Sequence, residues 1–117
     1  MNTVETEIEN LVEKAKMGDK DVLDEIIMRI QDNIYGLAIR MLFIPADAED
    51  ATQEILVKVV THLCTFRGES RFDTWVYRIA SNHLMTMRKS RAERWKMTFD
   101  TCIKNIDEQS SLKEDAV

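Results

Sequence analysis

The chain has 117 residues, 44% hydrophobic and 32% charged, the size and make-up of one helical domain with one core. Its 3 glycines and 1 proline leave little room for a turn-rich β fold, and no apolar run approaches the ~20 residues a membrane span needs. The net charge of −5 argues against a nucleic-acid ligand until its distribution is considered: residues 1–65 carry 6 basic and 13 acidic side chains, 66–96 carry 8 and 3, and 97–117 carry 2 and 5. One electropositive segment inside an acidic chain is enough to attract phosphates.

In chain order, period-3.6 spacing predicts about four helices, an all-α compact bundle. The first spans roughly Val4 to Met17, with Val4, Ile8, Leu11, Val12 and Ala15 on one face and Gly18 suited to the C-cap. The second starts after Asp19, a plausible N-cap, runs to about Phe43 before Pro45, and carries a broad stripe of Val22, Leu23, Ile26, Ile27, Ile30, Ile34, Leu37, Ala38, Met41 and Leu42. The third runs from near Asp47 to near Cys64, with Asp47, Glu49 and Asp50 in its first turn and Ala48, Ala51, Ile55, Leu56, Val59, Val60 and Leu63 for burial. After a loop, Thr65 to Ser70, with a capping-box-like pair in Ser70 and Asp73, a fourth helix is expected from about Arg71 to near Lys96. Residues 97–117 are polar and acidic and are expected to form a poorly ordered linker.

Two constellations stand out. Asp47, Asp50 and Glu54 fall three and four residues apart with Gln53 beside them, a solvated acidic face or a docking surface for a basic helical partner. From Phe66 to Asn82, aromatics and arginines interleave around Gly68, the parts that single-stranded DNA binding needs: rings for stacking, cations for phosphates, an amide for base edges. Trp75 lies on the apolar stripe and suits the core, whereas Tyr77 and Asn82 fall off it. Arg88, Lys89, Arg91, Arg94 and Lys96 suit phosphate contact or simply the late turns of a helix. No Gly-rich phosphate loop or nucleophile elbow is present, so the chain does not read as an enzyme. His62 and His83 read as ordinary helix histidines, and Cys64 and Cys102 as reduced thiols with no metal spacing; neither a metal nor a cofactor is expected.

The segment Asp47-Ala48-Glu49-Asp50-Ala51-Thr52-Gln53-Glu54, followed by Phe66-Arg67-Gly68-Glu69-Ser70, Phe72, Thr74-Trp75, Tyr77-Arg78-Ile79-Ala80 and Asn82, resembles region two of extracytoplasmic-function (ECF) sigma factors of the sigma-70 superfamily over about residues 10–96. That resemblance implies a domain, residues 1–96, that binds core RNA polymerase and melts the minus-ten element of the promoter. Asp47, Asp50, Gln53 and Glu54 would dock on the clamp helices of the largest polymerase subunit. Phe66, Arg67, Gly68, Glu69 and Ser70 would form the loop receiving a flipped non-template base, with Arg71, Tyr77, Arg78, Asn82, Arg88 and Lys89 along the path of single-stranded DNA. It further implies an anti-sigma factor partner, a cytoplasmic location and no membrane insertion. Thr86 stands where the family usually has an acidic residue, and His83, Met85 and Met87 are not typical, which bears on promoter specificity. A full factor carries a second, helix-turn-helix domain, so residues 97–117 are expected to begin an interdomain linker of a longer protein. The competing reading is a helical interaction module that binds polymerase or an anti-sigma protein without touching DNA.

Overall fold

A handful of residues set the helix boundaries. The computed structural model describes residues 3–115, with side chains from residue 7 to residue 106. Among these residues the fold is all-α: α1 is Thr3–Lys16, α2 Lys20–Leu42, α3 Pro45–His62 and α4 Phe72–Asp115, with a 3-10 turn at Leu63–Thr65 before the last. Gly18 ends the α1 region with φ +100°, a conformation that costs an L residue strain and glycine nothing. Asp19 then caps α2, its Oδ1 accepting from the Val22 amide at 3.2 Å. At the other end of α2 the left-handed cap is Phe43, φ 66°, an uncommon place for an aromatic residue. Pro45 occupies the first turn of α3, where its missing N–H is not needed, so α3 begins two residues before the expected Asp47.

By contacts the chain divides into two compact units, Met1–Met85 and Thr86–Val117. In the first unit, α2 packs against both α1 and α3. Its buried stripe is Ile26, Ile30, Ile34, Ala38 and Leu42; also buried are Ile8 and Val12 of α1, Ala48, Ala51, Ile55, Leu56 and Val59 of α3, and Phe72, Val76, Ala80 and Leu84 in the first turns of α4. Thr52 is the buried polar residue of this core, and its hydroxyl donates to the Ala48 carbonyl at 2.7 Å, so no orphaned group is left in α3. Arg29 of α2 reaches Glu7 of α1 at 2.7 Å and Glu25 at 3.1 Å. These carboxylates push its pKa above the ordinary value, chiefly through the hydrogen bond to Glu7 and then that to Glu25.

Two expectations change. The Ser70–Asp73 capping box does not form: α4 starts at Phe72, which makes Arg71 the cap position, and the Ser70 hydroxyl donates to the Arg71 carbonyl at 3.3 Å. Nor does α4 stop near Lys96; it continues to Asp115. No glycine or proline follows Gly68, so nothing in residues 97–115 breaks a helix. The hydroxyls of Thr98 and Thr101 donate, each at 2.9 Å, to the carbonyls of Arg94 and Met97, closing on the helix itself. In the second unit Trp95, Met97, Phe99, Ile103 and Ile106 are exposed. Among the described residues no helix is long and apolar enough to cross a membrane.

Candidate functional site

The loop between the 3-10 turn and α4 is pinned at its base and free in its middle. The Thr65 hydroxyl donates to the His62 carbonyl at 2.6 Å, and the Phe66 amide to the Leu63 carbonyl at 3.1 Å. From across the unit, the Lys16 ammonium donates to the Phe66 carbonyl at 2.7 Å, in a part-buried contact. Gly68 turns the chain with φ +77°. Phe66 is buried at 7% exposure, its ring 5.7 Å from Phe72, nearly edge-on at 72°, and 5.1 Å from Trp75. Phe72 and Trp75 are 5.8 Å apart, which completes a three-ring cluster.

This cluster and the loop enclose an open cavity of about 600 Å³, lined by Thr65, Phe66, Arg67, Glu69, Ser70, Trp75 and Arg78. Its size is that of a small-molecule site. Its walls offer aromatic rings for stacking, two guanidiniums for phosphate, and a carboxylate and a hydroxyl for base edges. Five of the residues singled out from the sequence thus converge. Thr65 and Trp75 join them; Trp75, expected in the core, is only half-buried. Gly68 and Arg71 are exposed on the same loop, Arg71 3.9 Å from the Asp73 carboxylate. Tyr77 goes elsewhere: it is 59% exposed and lines a separate cleft of about 350 Å³ between α2 and α4, with Asn33, Arg40 and Asp73 around an apolar floor that includes Ile34, Leu37 and Val76. Asn82 is exposed further along α4, and Arg88 and Lys89 are exposed residues of the second unit.

The acidic constellation lies on α3. Its inward face buries Ala48, Ala51, Thr52, Ile55, Leu56 and Val59, which turns Asp50, Gln53 and Glu54 outward, while Asp47 is half-buried. Three exposed apolar residues accompany them: Val57 (63%) continues the outward face of α3, and Phe43 (74%) and Ile44 (45%) form the turn before it. A large apolar residue exposed beside carboxylates is a mark of a docking surface. Val57 follows Gln53 and Glu54 at helical spacing, so its place was readable from the sequence; the left-handed turn that exposes Phe43 was not. His83 of α4 bridges two side chains of α3: its Nε2 lies 2.9 Å from Glu54 Oε2, and its Nδ1 lies 2.8 Å from Lys58 Nζ. Cys64 and Cys102 are exposed, unbonded thiols, and among the described residues no group of three or more His, Cys, Asp or Glu is placed to hold a metal.

Residues 26–94, more than half of the chain, match the Sigma-70 region 2 family. The chain belongs to that family. Among curated sigma factors it is similar to the RNA polymerase sigma-H factor of Pseudomonas aeruginosa, 37% identical over 86 residues that make up 74% of this chain and 45% of that protein. It is similar also to the ECF RNA polymerase sigma factor SigW of Bacillus subtilis, 35% identical over 68% of this chain and 42% of that one. With the ECF RNA polymerase sigma-E factor of Escherichia coli it shares 38% identity over 62% of this chain and 37% of that one. The chain therefore spans less than half the length of these relatives. Among solved structures it resembles an engineered region 2 of sigmaE in complex with GTAAAA, determined by NMR, with a TM-score of 0.65 and 30% identity over 74% of this chain and 90% of that one. The sigma region 2 resemblance carried by the two motifs is thus shown, and the relatives are transcription initiation factors rather than enzymes.

Proposed function

We propose that this chain is the domain of an ECF sigma factor that binds core RNA polymerase and melts the minus-ten element of the promoter by capturing the non-template strand. The observation that carries this reading is the cavity of about 600 Å³ in which Phe66, Arg67, Glu69, Ser70 and Arg78 meet Trp75. A flipped base enters it, stacks on the exposed part of the aromatic cluster and is held at its edge by Glu69 and Ser70, while Arg67 and Arg78 neutralise the flanking phosphates. Extrusion costs a few kcal/mol of unstacking, which such contacts offset. The related region 2 solved with GTAAAA supports a single-stranded ligand of this kind. Gly68 and Arg71 shape and charge the rim, and Tyr77, Asn82, Arg88 and Lys89 contact the strand and its phosphates beyond the cavity. Asp47, Asp50, Gln53 and Glu54 dock on the clamp helices of the largest polymerase subunit, with Val57 supplying apolar contact. The protein works in the cytoplasm, where an anti-sigma factor restrains it.

The test separates the two surfaces. Core polymerase carrying this chain is titrated with a fork-junction promoter bearing an unpaired non-template tail, with and without Asn82→Ala. The variant should keep its affinity for polymerase and lose fork capture by about tenfold, the cost of one lost base-edge contact. The net charge of −5 favours the competing interaction module, for which fork capture would not change.

A further inference from the structure

Two of the groups around the docking face belong to neither proposed surface, and their chemistry is coupled. Glu54 and Lys58 sit one turn apart on α3, with the acid N-terminal to the base, the spacing and order that favour a direct ion pair on a helix. In this structure the Lys58 ammonium is turned to His83 Nδ1 at 2.8 Å, and His83 Nε2 meets Glu54 Oε2 at 2.9 Å. An ammonium has hydrogens to give and no lone pair, so Nδ1 must accept; the ring hydrogen then resides on Nε2, which donates to Glu54. The imidazole is 11% exposed, held from α4 against α3, whereas Glu54 is 60% exposed. One carboxylate oxygen is thus fixed from behind by the ring, and the lysine that would otherwise cover the carboxylate is held off by the other ring nitrogen.

We infer that His83 is a positioning residue for polymerase docking: as the neutral Nε2–H tautomer it orients the Glu54 carboxylate toward the partner and keeps Lys58 from neutralising it. This rests on the reading that Glu54 docks on polymerase. Without the imidazole, Lys58 closes on Glu54 as an ordinary ion pair of one helical turn, and a basic partner must displace it.

The measurement is a double-mutant cycle on the dissociation constant of the full chain for sigma-free core RNA polymerase, with Glu54→Gln as control. Glu54→Gln should weaken binding; if it does not, the docking reading itself fails. Given that control, His83→Ala should weaken binding about two- to fivefold, the range of one solvated ion pair. Lys58→Met should have little effect in the unaltered chain but return His83→Ala to within about twofold of it, a non-additivity that marks the coupling. His83→Gln, which offers one donor and one acceptor, should bind more tightly than His83→Ala. A loss in His83→Ala that Lys58→Met does not reverse, or a gain from Lys58→Met that is equal in both backgrounds, overturns the proposal, because a merely structural histidine or a long-range charge would behave so. Should His83→Ala fail to fold, ring nitrogen shifts of the unaltered chain decide: the Nε2–H tautomer is expected, and an Nδ1–H or doubly protonated ring at neutral pH overturns the assignment.

Discussion

Gly68 and Lys16 hold the shape of the proposed base-capture loop by different means. At Gly68 nothing lies within 4 Å of where a Cβ would sit, so an alanine would meet no clash, only the strain of φ +77°. Gly68→Ala should therefore cost about 1 kcal/mol, read as a lower urea midpoint with an unchanged slope. Lys16 acts from the end of α1, where its ammonium, 2.7 Å from the Phe66 carbonyl, spans 50 positions of sequence. Lys16→Met keeps the aliphatic stem and removes the donor. The loss should be about 1 kcal/mol, discounted from the usual charged hydrogen bond because the side chain is 25% exposed, with faster amide exchange in residues 66–70. Gly68 was legible in the sequence because a glycine amid arginines and rings marks a turn. Lys16 was not, because a contact across 50 positions leaves no local signature; the same holds for His83, whose partners lie 25 and 29 positions away.

Among the helices, the boundaries that were readable are those fixed by the chemistry of one residue. Asp19 is such a case, and Asp19→Ala should lower stability by about 1 kcal/mol, seen as a fall in Tm without loss of the folded baseline. Pro45 marked a boundary correctly, but its role is to open α3, which its ring permits in the first turn. The length of α4 was misjudged for a physical reason. The expected stop near Lys96 rested on the polar and acidic composition of residues 97–117, and such a composition does not break a helix where no glycine or proline intervenes. The capping box failed likewise: the S-x-x-D spacing was present, but the loop carries Ser70 one position too early to cap a helix that begins at Phe72.

At the scale of the whole chain, charge and ring content are partitioned as the proposed function requires. An acidic face with apolar companions lies on α3, and arginines with a three-ring cluster lie on the loop and the first turns of α4. Both surfaces were visible in the sequence as motifs. What the sequence could not supply was their depth: that Phe66 is a wall sealed against Phe72 and Trp75, and that Tyr77 opens on a different cleft from its neighbour Arg78. Those distinctions depend on how helix faces meet, which a one-dimensional period does not encode. The central claim, that this fold reads single-stranded DNA through the loop cavity and the face of α4 that continues from it to Asn82, is tested most directly by binding of the chain to a panel of fluorescent single-stranded hexamers that includes GTAAAA, at two salt concentrations, with Arg67→Ala and Asn82→Ala alongside. The account predicts sequence-selective binding that Asn82→Ala weakens by about 1–3 kcal/mol, together with a loss of affinity and of salt slope in Arg67→Ala. Binding that responds to salt but is indifferent to sequence and to both substitutions would contradict it and leave only phosphate attraction.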